Sequence, residues 1–184
     1  MKKTTWQIDP AHTEVGFAVK HMMLATVKGR FADVSGTITI DEADIANSSV
    51  DVTISAASVD TKQEQRDAHL RSADFFDVEN HPELTFRSRQ VKSAGDGKLR
   101  IVGDLTIRGT TREAVLETTE EGRGKDPWGN ERVGFSATTS IDRREFGLTW
   151  NNALEAGGVL VGNDVRISLD VEAVKAEAAA ATAA

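Results

Sequence analysis

The chain has 184 residues, no cysteine, and 29 acidic against 22 basic residues, for a formal charge of −7. That length suits one domain with a sizeable core. The acidic balance argues against a nucleic-acid footprint, which needs a basic patch, and the absence of cysteine excludes disulfides, thiol catalysis and cysteine-based zinc sites while fitting a reducing compartment.

Met1-Lys2-Lys3 has the charge of a signal-peptide start, but Thr4–Pro10 is polar and strand-like, so no secretory signal and a cytoplasmic location are expected. No run approaches the roughly 20 apolar residues of a membrane span, so no stable membrane insertion is expected. A short strand is predicted at Trp6–Ile8. Val15, Phe17 and Val19 then share one face against Glu14, Gly16 and Lys20, the period of two of a half-buried strand. A short helical turn is predicted near Met22–Ala25. Gly36, Ile38 and Ile40 alternate with Thr37 and Thr39, and Val50, Val52 and Ile54 alternate with Asp51, Thr53 and Ser55.

Thr61-Lys62-Gln63-Glu64 has the form of a capping box, Thr61 accepting from the Glu64 amide and Glu64 reaching back. It predicts a helix of roughly ten residues through Arg66, Asp67, His69, Leu70 and Arg71. With little apolar stripe, that helix belongs over the strands and not among them. Alternation resumes at Leu84 and Phe86. It continues through Leu99, Ile101, Gly103, Leu105 and Ile107, a short strand near Ala114–Thr119, Val133 to Ile141, and Val165 to Val171. Turn signals at Asp41–Asp44, Ala94–Gly97 and Asp126–Asn130 separate these strands. About eight or nine antiparallel strands with short turns predict an all-β sandwich or barrel, and a meander of this length closes naturally into an up-and-down barrel. About eight strands leave room for one small ligand. Residues 1–174 are read as a single barrel domain and 175–184 as an Ala-rich, disordered tail.

Several blocks carry a family resemblance. They are Trp6-x-Ile8-Asp9-x-x-His12-Thr13-x-Val15-x-Phe17-x-Val19-x-His21-Met22, and Gly29-x-Phe31-x-x-Val34-x-Gly36. Ser58-Val59-Asp60-Thr61 follows, then Arg66-Asp67-x-His69-Leu70-x-Ser72-x-Asp74-Phe75-Phe76-Asp77-Val78, His81-Pro82 and Phe86-x-Ser88. Gly103–Gly109 and Ile141-Asp142-Arg143-Arg144-Glu145-Phe146-Gly147-Leu148-x-Trp150-Asn151 complete the series. In this order the chain resembles the YceI-like polyisoprenoid-binding family. The resemblance implies an eight-stranded, lipocalin-like antiparallel barrel, here with one covering helix near 61–72. It also implies a homodimer, and a long tunnel for an isoprenoid or fatty amphiphile, a quinone-type lipid among the options. It brings no catalytic residues and no other cofactor. Many relatives are periplasmic and carry a signal peptide.

The candidate ligand contacts are Phe17, Val19, Phe31, Ile38, Val52, Phe76, Leu84, Phe86, Leu105, Phe135 and Trp150, which either line a dry slot or simply fill the core. Arg66, His69, Arg143, Arg144 and Asn151 are candidates for a polar head group, because an anionic head favours arginine. The plainer readings are a helix-surface ion pair for Arg66, a solvated turn for Arg143 and Arg144, and a loop for Asn151. His21 shares strand parity with Phe17 and Val19 and points inward on that basis, either near a ligand or as a hydrogen-bonded structural histidine. No metal is expected, since no HxH or HExxH spacing occurs. No nucleophile elbow, phosphate loop or dinucleotide fingerprint occurs either, and Asp67 and His69 do not share a helix face. The expected function is binding, storage or transport of a long lipid. An enzyme acting on such a lipid and a stress-linked dimeric scaffold with an incidental lipid are the alternatives.

Overall fold

The period-two alternation becomes a set of antiparallel strands in the computed structural model, which describes residues 3–155 and 157–177. The strands are β1 (Lys3–Ile8), β2 (Glu14–His21), β3 (Ala25–Phe31), β4 (Val34–Asp41), β5 (Ser49–Ser55) and β6 (Val59–Asp60). After α1 (Glu64–Arg71) come β7 (Glu83–Gly95), β8 (Lys98–Ile107), β9 (Thr110–Lys125), β10 (Glu131–Asp142) and β11 (Val161–Lys175). The strand near Ala114–Thr119 is thus the centre of a 16-residue strand.

Eight of these strands close on themselves in the order β1-β4-β5-β7-β8-β9-β10-β11, with β1 returning to β11. Closure removes the sheet edges that would otherwise invite aggregation. Strand β11 is long enough to divide one edge between two partners. Ala173–Lys175 pairs with β1, and Val161–Asp170 pairs with β2. The β2–β3 hairpin therefore leans off the ring, and β3 meets only the two-residue β6 on its far side. Among the described residues β3 forms no ladder with β4. The segment from Ala56 to Arg71 lies beside that seam, held by the Arg71 guanidinium, which donates to the carbonyls of Ala57 and Val59.

The two ends of the barrel differ. At one end are short turns, after β4, β7 and β9. Two of them are tied by aspartates: Asp41 Oδ1 accepts from the amides of Ala43 and Asp44, and Asp126 Oδ1 from those of Trp128 and Asn130. At the other end stand α1, the long β10–β11 connection and the β2–β3 turn. The first is the turn end and the second the helix end.

Three local expectations are corrected. The helix is capped by Gln63, whose side chain accepts from the Arg66 amide, and not by Thr61. Lys62 adopts a positive φ of 62°, which turns the chain between the two residues and leaves Thr61 outside the helix. The amide and hydroxyl of Thr61 donate instead to buried Asp67. Second, Met22–Ala25 is no helical turn. Leu24 N–H bonds His21 C=O, and Met22 and Met23 have φ of 53° and 60°, so the chain reverses into β3. A left-handed conformation costs a residue with a side chain roughly 1–2 kcal/mol. Third, β11 runs to Lys175, and the Ala176 amide still bonds the Thr5 carbonyl, so the barrel continues into the segment assigned to the tail. Residues 178–184 lie outside the described residues.

Candidate ligand-binding tunnel

Inward residues of every ring strand, together with β2 and β3, surround a cavity of about 400 Å³. That volume falls within the roughly 300–1,000 Å³ of small-molecule sites. The cavity runs from Ile45, Ser48 and Leu99 at the turn end to Leu70, Trp150 and Leu160 at the helix end. Its wall is overwhelmingly apolar. Two glycines keep aromatic rings against that wall. Phe17 lies over Gly29 on β3, and Phe86 over Gly103 on β8; a Cβ at either glycine would collide with the ring. A ring seated in a glycine gap fills the wall and leaves the lumen open.

The structure brings Phe17, Val19, His21, Phe31, Ile38, Val52, Arg66, His69, Phe76, Leu84, Phe86, Leu105, Phe135, Arg143 and Trp150 to this cavity. It does not bring Asn151. The Asn151 amide donates to the Val161 carbonyl and its oxygen accepts from the Val161 amide, so it pins the β10–β11 connection to the start of β11. Arg144 also leaves the candidate set, because its guanidinium is held on the neighbouring Asp142 carboxylate. His21 keeps its inward parity but sits at the rim and is exposed.

Arg143 is no solvated turn residue. It is 4 % exposed, and its guanidinium donates to the carbonyls of Leu148, Trp150, Val161 and Gly162. Burial pushes its pKa down from the usual arginine value, with the Asp142 charge acting in the other direction. An arginine stays protonated even so. A buried cation capped by carbonyl dipoles therefore lies at the helix end of the tunnel.

On α1, Arg66, His69 and Leu70 fall on one face and form the lining there. Arg66 Nε donates to the Thr61 hydroxyl and Nη2 to the Thr61 carbonyl, which fixes the guanidinium at the rim. His69 does not pair with Asp67. Its Nε2 lies 2.9 Å from Asp74 Oδ2, and its ring meets Phe75 and Trp150 edge-on, with centroids 5.0 and 4.6 Å away. The ionisable lining residues are thus segregated. Lys20, His21, Arg66, His69 and Arg143 lie at the helix end, whereas Glu120 lies at the turn end, 2.6 Å from Arg123.

Residues that sequence reasoning passed over also line the tunnel, among them Leu70, Phe75, Leu148 and Leu160. Leu70 was within reach, since it stands one turn from Arg66. Phe75, Leu148 and Leu160 lie in connections without a period, where no local pattern marks an inward side chain.

A second polar cluster lies outside the tunnel, at the turn end. Asp9, His12 and Glu172 each place one ligand-type atom within 4.8 Å of the others. Side chains of the chain already occupy these carboxylates: Arg132 donates to Asp9 at 2.9 Å and to Glu172 at 2.8 Å, and His12 Nδ1 lies 2.8 Å from Asp9. Arg132 also bonds Asp126 and holds its pKa down at about 2.

Known proteins share this architecture. The family model described as YceI-like domain matches residues 6–173. A UPF0312 protein of Vibrio parahaemolyticus is 41 % identical over 138 residues, covering 75 % of this chain and 73 % of its own. The crystal structure of Burkholderia cenocepacia BcnA superposes with a TM-score of 0.79 at 25 % identity, covering 90 % of this chain and 98 % of that one. A polyisoprenoid binding domain from Saccharophagus degradans superposes with a TM-score of 0.67, covering 95 % of this chain and all of that one; at 13 % identity this likeness speaks to fold alone. With a closed antiparallel barrel, a single covering helix and a family match over nearly its whole length, the chain belongs to the YceI-like family.

Proposed function

We propose that the protein binds a long isoprenoid or similar amphiphilic lipid, for storage or transport, with the apolar tail in the tunnel and the polar head at the helix end. The observation that carries this reading is the segregation of the lining: an apolar slot through the barrel with its basic residues all at one mouth. The ligand class follows the resemblance to the YceI-like polyisoprenoid-binding family, and a polyisoprenoid binding domain shares the fold.

The energetics favour a tail selected by length. An isoprene unit has five carbons, so at about 0.8 kcal/mol per buried CH₂ each unit gains roughly 3–4 kcal/mol gross. Four or five units then reach the practical ceiling of about 18–21 kcal/mol for non-covalent binding. Tails longer than the slot add no further affinity.

Native mass spectrometry of freshly purified protein, followed by extraction and identification of released lipid, tests the proposal. One stoichiometric isoprenoid supports a dedicated carrier. A scatter of fatty acids and detergents overturns it in favour of the scaffold with an incidental lipid.

The His69–Asp74 pair at the mouth is the observation that favours the enzymatic alternative. The binding reading accounts for it more simply, as a clamp that holds the imidazole edge-on to Trp150. Turnover of a bound prenyl lipid that His69→Asn abolishes without loss of binding would reverse this preference. The homodimer is proposed on the family resemblance, and sedimentation velocity tests it.

A further inference from the structure

The large exposed apolar side chains among the described residues are Met22, Met23, Leu24 and Trp128. Three of the four are consecutive, at the tip of the β2–β3 hairpin, and Met23 and Leu24 are 63 % and 82 % exposed. The turn type makes this more unusual. Two successive central positions with positive φ call for asparagine and glycine, yet methionine occupies both. The tip therefore combines an unfavourable backbone with unfavourable solvation, a pairing that functional contacts explain better than folding does.

The tip is also the lip of the tunnel. The Met22 amide bonds the Leu160 carbonyl, His21 pairs with Val161, and Lys20, His21, Leu160 and Val161 line the cavity immediately behind it. The outer face just behind the tip is basic although the chain as a whole is acidic. Lys28 and Arg166 project outward from β3 and β11, Lys20 stands exposed at the tunnel rim, and among the described residues none of the three lies within ion-pair distance of a carboxylate. Arg30 continues the row beside Asp60, at 3.6 Å. Asp164, near the start of β11, faces Asp142 and Arg144 across the β10–β11 ladder. Glu14 and Asp170 pair with each other farther along β2 and β11, away from the tip.

We propose that the β2–β3 hairpin docks the helix end of the barrel on an anionic lipid bilayer, with Met22–Leu24 entering the headgroup region and Lys20, Lys28 and Arg166 against lipid phosphates. The apolar tip with flanking cations is the pattern of a peripheral interfacial anchor. Docked in this way, the mouth of the tunnel faces the membrane, so a lipid tail passes from bilayer to barrel without crossing water. The docking rests on the lipid-binding reading for its purpose but not for its test. No helix among the described residues is long and apolar enough to cross a membrane, and the contact proposed is peripheral.

The test is flotation of the full chain with vesicles of phosphatidylcholine alone and of phosphatidylcholine mixed with phosphatidylglycerol. In parallel, native mass spectrometry follows uptake of farnesol and a longer prenol from dilute detergent. The wild type floats with the mixed vesicles, less with pure phosphatidylcholine, and less again in high salt. Met23→Asp combined with Leu24→Asp lowers vesicle binding about tenfold or more, and Lys28→Glu lowers it about fivefold on the mixed vesicles only. Neither tip nor Lys28 lines the tunnel, so both variants keep their prenol uptake. A wild type that floats with neither vesicle, or a tip variant that floats like wild type, overturns the docking. So does a tip variant that only converts a dimer to a monomer, because the patch is then covered by a second copy. Vesicle binding without prenol uptake in the wild type leaves the docking intact and overturns the lipid-carrier reading instead.

Discussion

Arg143 and Arg132 stand at opposite ends of the same strand, and the chain treats them in opposite ways. Arg132, at the turn end, is surrounded by carboxylates from Asp9, Asp126 and Glu172. Arg143, at the helix end, is buried among four carbonyls and is given no carboxylate. Carbonyl dipoles satisfy the donors of a guanidinium but do not neutralise its charge. The turn end thereby holds its arginine among an excess of carboxylates, and the helix end keeps a fixed positive charge beside an apolar slot. In a barrel of nearly uniform wall, this difference between the ends would give the proposed amphiphile a direction.

The largest test of that contrast is Arg143→Met. It removes the guanidinium from four carbonyls, of which Val161 keeps the Asn151 amide, and frees the β10–β11 connection, and chemical denaturation should register a loss of about 2–4 kcal/mol. Arg143→Lys should recover little of it, because a single ammonium cannot reproduce the fork. A loss below about 1 kcal/mol would break the comparison, since Arg143 would then be no more structural than a surface arginine.

Next in size is a plug in the slot. Ala137 lines the tunnel on β10. Ala137→Phe should reduce prenol binding by about a hundredfold, which is about 2.7 kcal/mol or roughly three to four buried CH₂ groups at about 0.8 kcal/mol each. Because it fills open space, it should destabilise the fold by less than the roughly 1–3 kcal/mol of overpacking a filled core. Isothermal titration with prenols and denaturant unfolding measure the two effects together. A large destabilisation with unchanged binding would mean that the slot is core.

Arg66→Gln sharpens the direction of binding. Two of the Arg66 donors are held by Thr61, and the remainder of the guanidinium is available at the rim. The variant should weaken a prenyl phosphate about tenfold, the worth of one charge-assisted hydrogen bond, while a neutral prenol of the same length is little affected. Equal losses on the two ligands would remove Arg66 from the head-group site.

The smallest expected effect is at the turn end. The carboxylate of Asp126 is held at about 2, mainly by Arg132, and Asp9 is lowered by His12 and then Arg132. A carboxylate lowered on folding stabilises the native state fully above its unfolded value of about 3.9 and loses that contribution as pH falls through the folded value. Arg132→Gln should therefore lower the melting temperature by a few degrees at neutral pH, with the gap to wild type closing between about pH 4 and pH 2. A gap that stays constant down to pH 2 would show that Arg132 acts by packing and not through charge.

Much of the barrel was legible from residues alone. The alternation at Val15–Val19, Val50–Ile54 and Leu99–Ile107 told inside from outside, because side-chain direction in a strand depends only on parity. The turns at Asp41 and Asp126 were readable for a similar reason, since an aspartate binds amides two to four residues along its own chain. Local signals misled where a longer-range partner competed. Thr61-x-x-Glu64 matched a capping box, but Asp67 took Thr61 and Gln63 took the cap. Met22–Met23 carried no turn residue, so the reversal into β3 was hidden.

The sequence by itself determined which face of each strand is apolar, that the strands close, and which family the motifs at Ser58–Val78 and Ile141–Asn151 indicate. Those properties follow from patterns within a strand's length or a loop's length. Only the tertiary structure decided that Arg143 is buried, that Asn151 is a staple, that His69 meets Asp74 and Trp150, and that all the basic lining residues gather at one mouth. Each of these depends on which connections meet over the end of the barrel. That meeting is fixed by closure between residues far apart in the chain, to which the local period is blind.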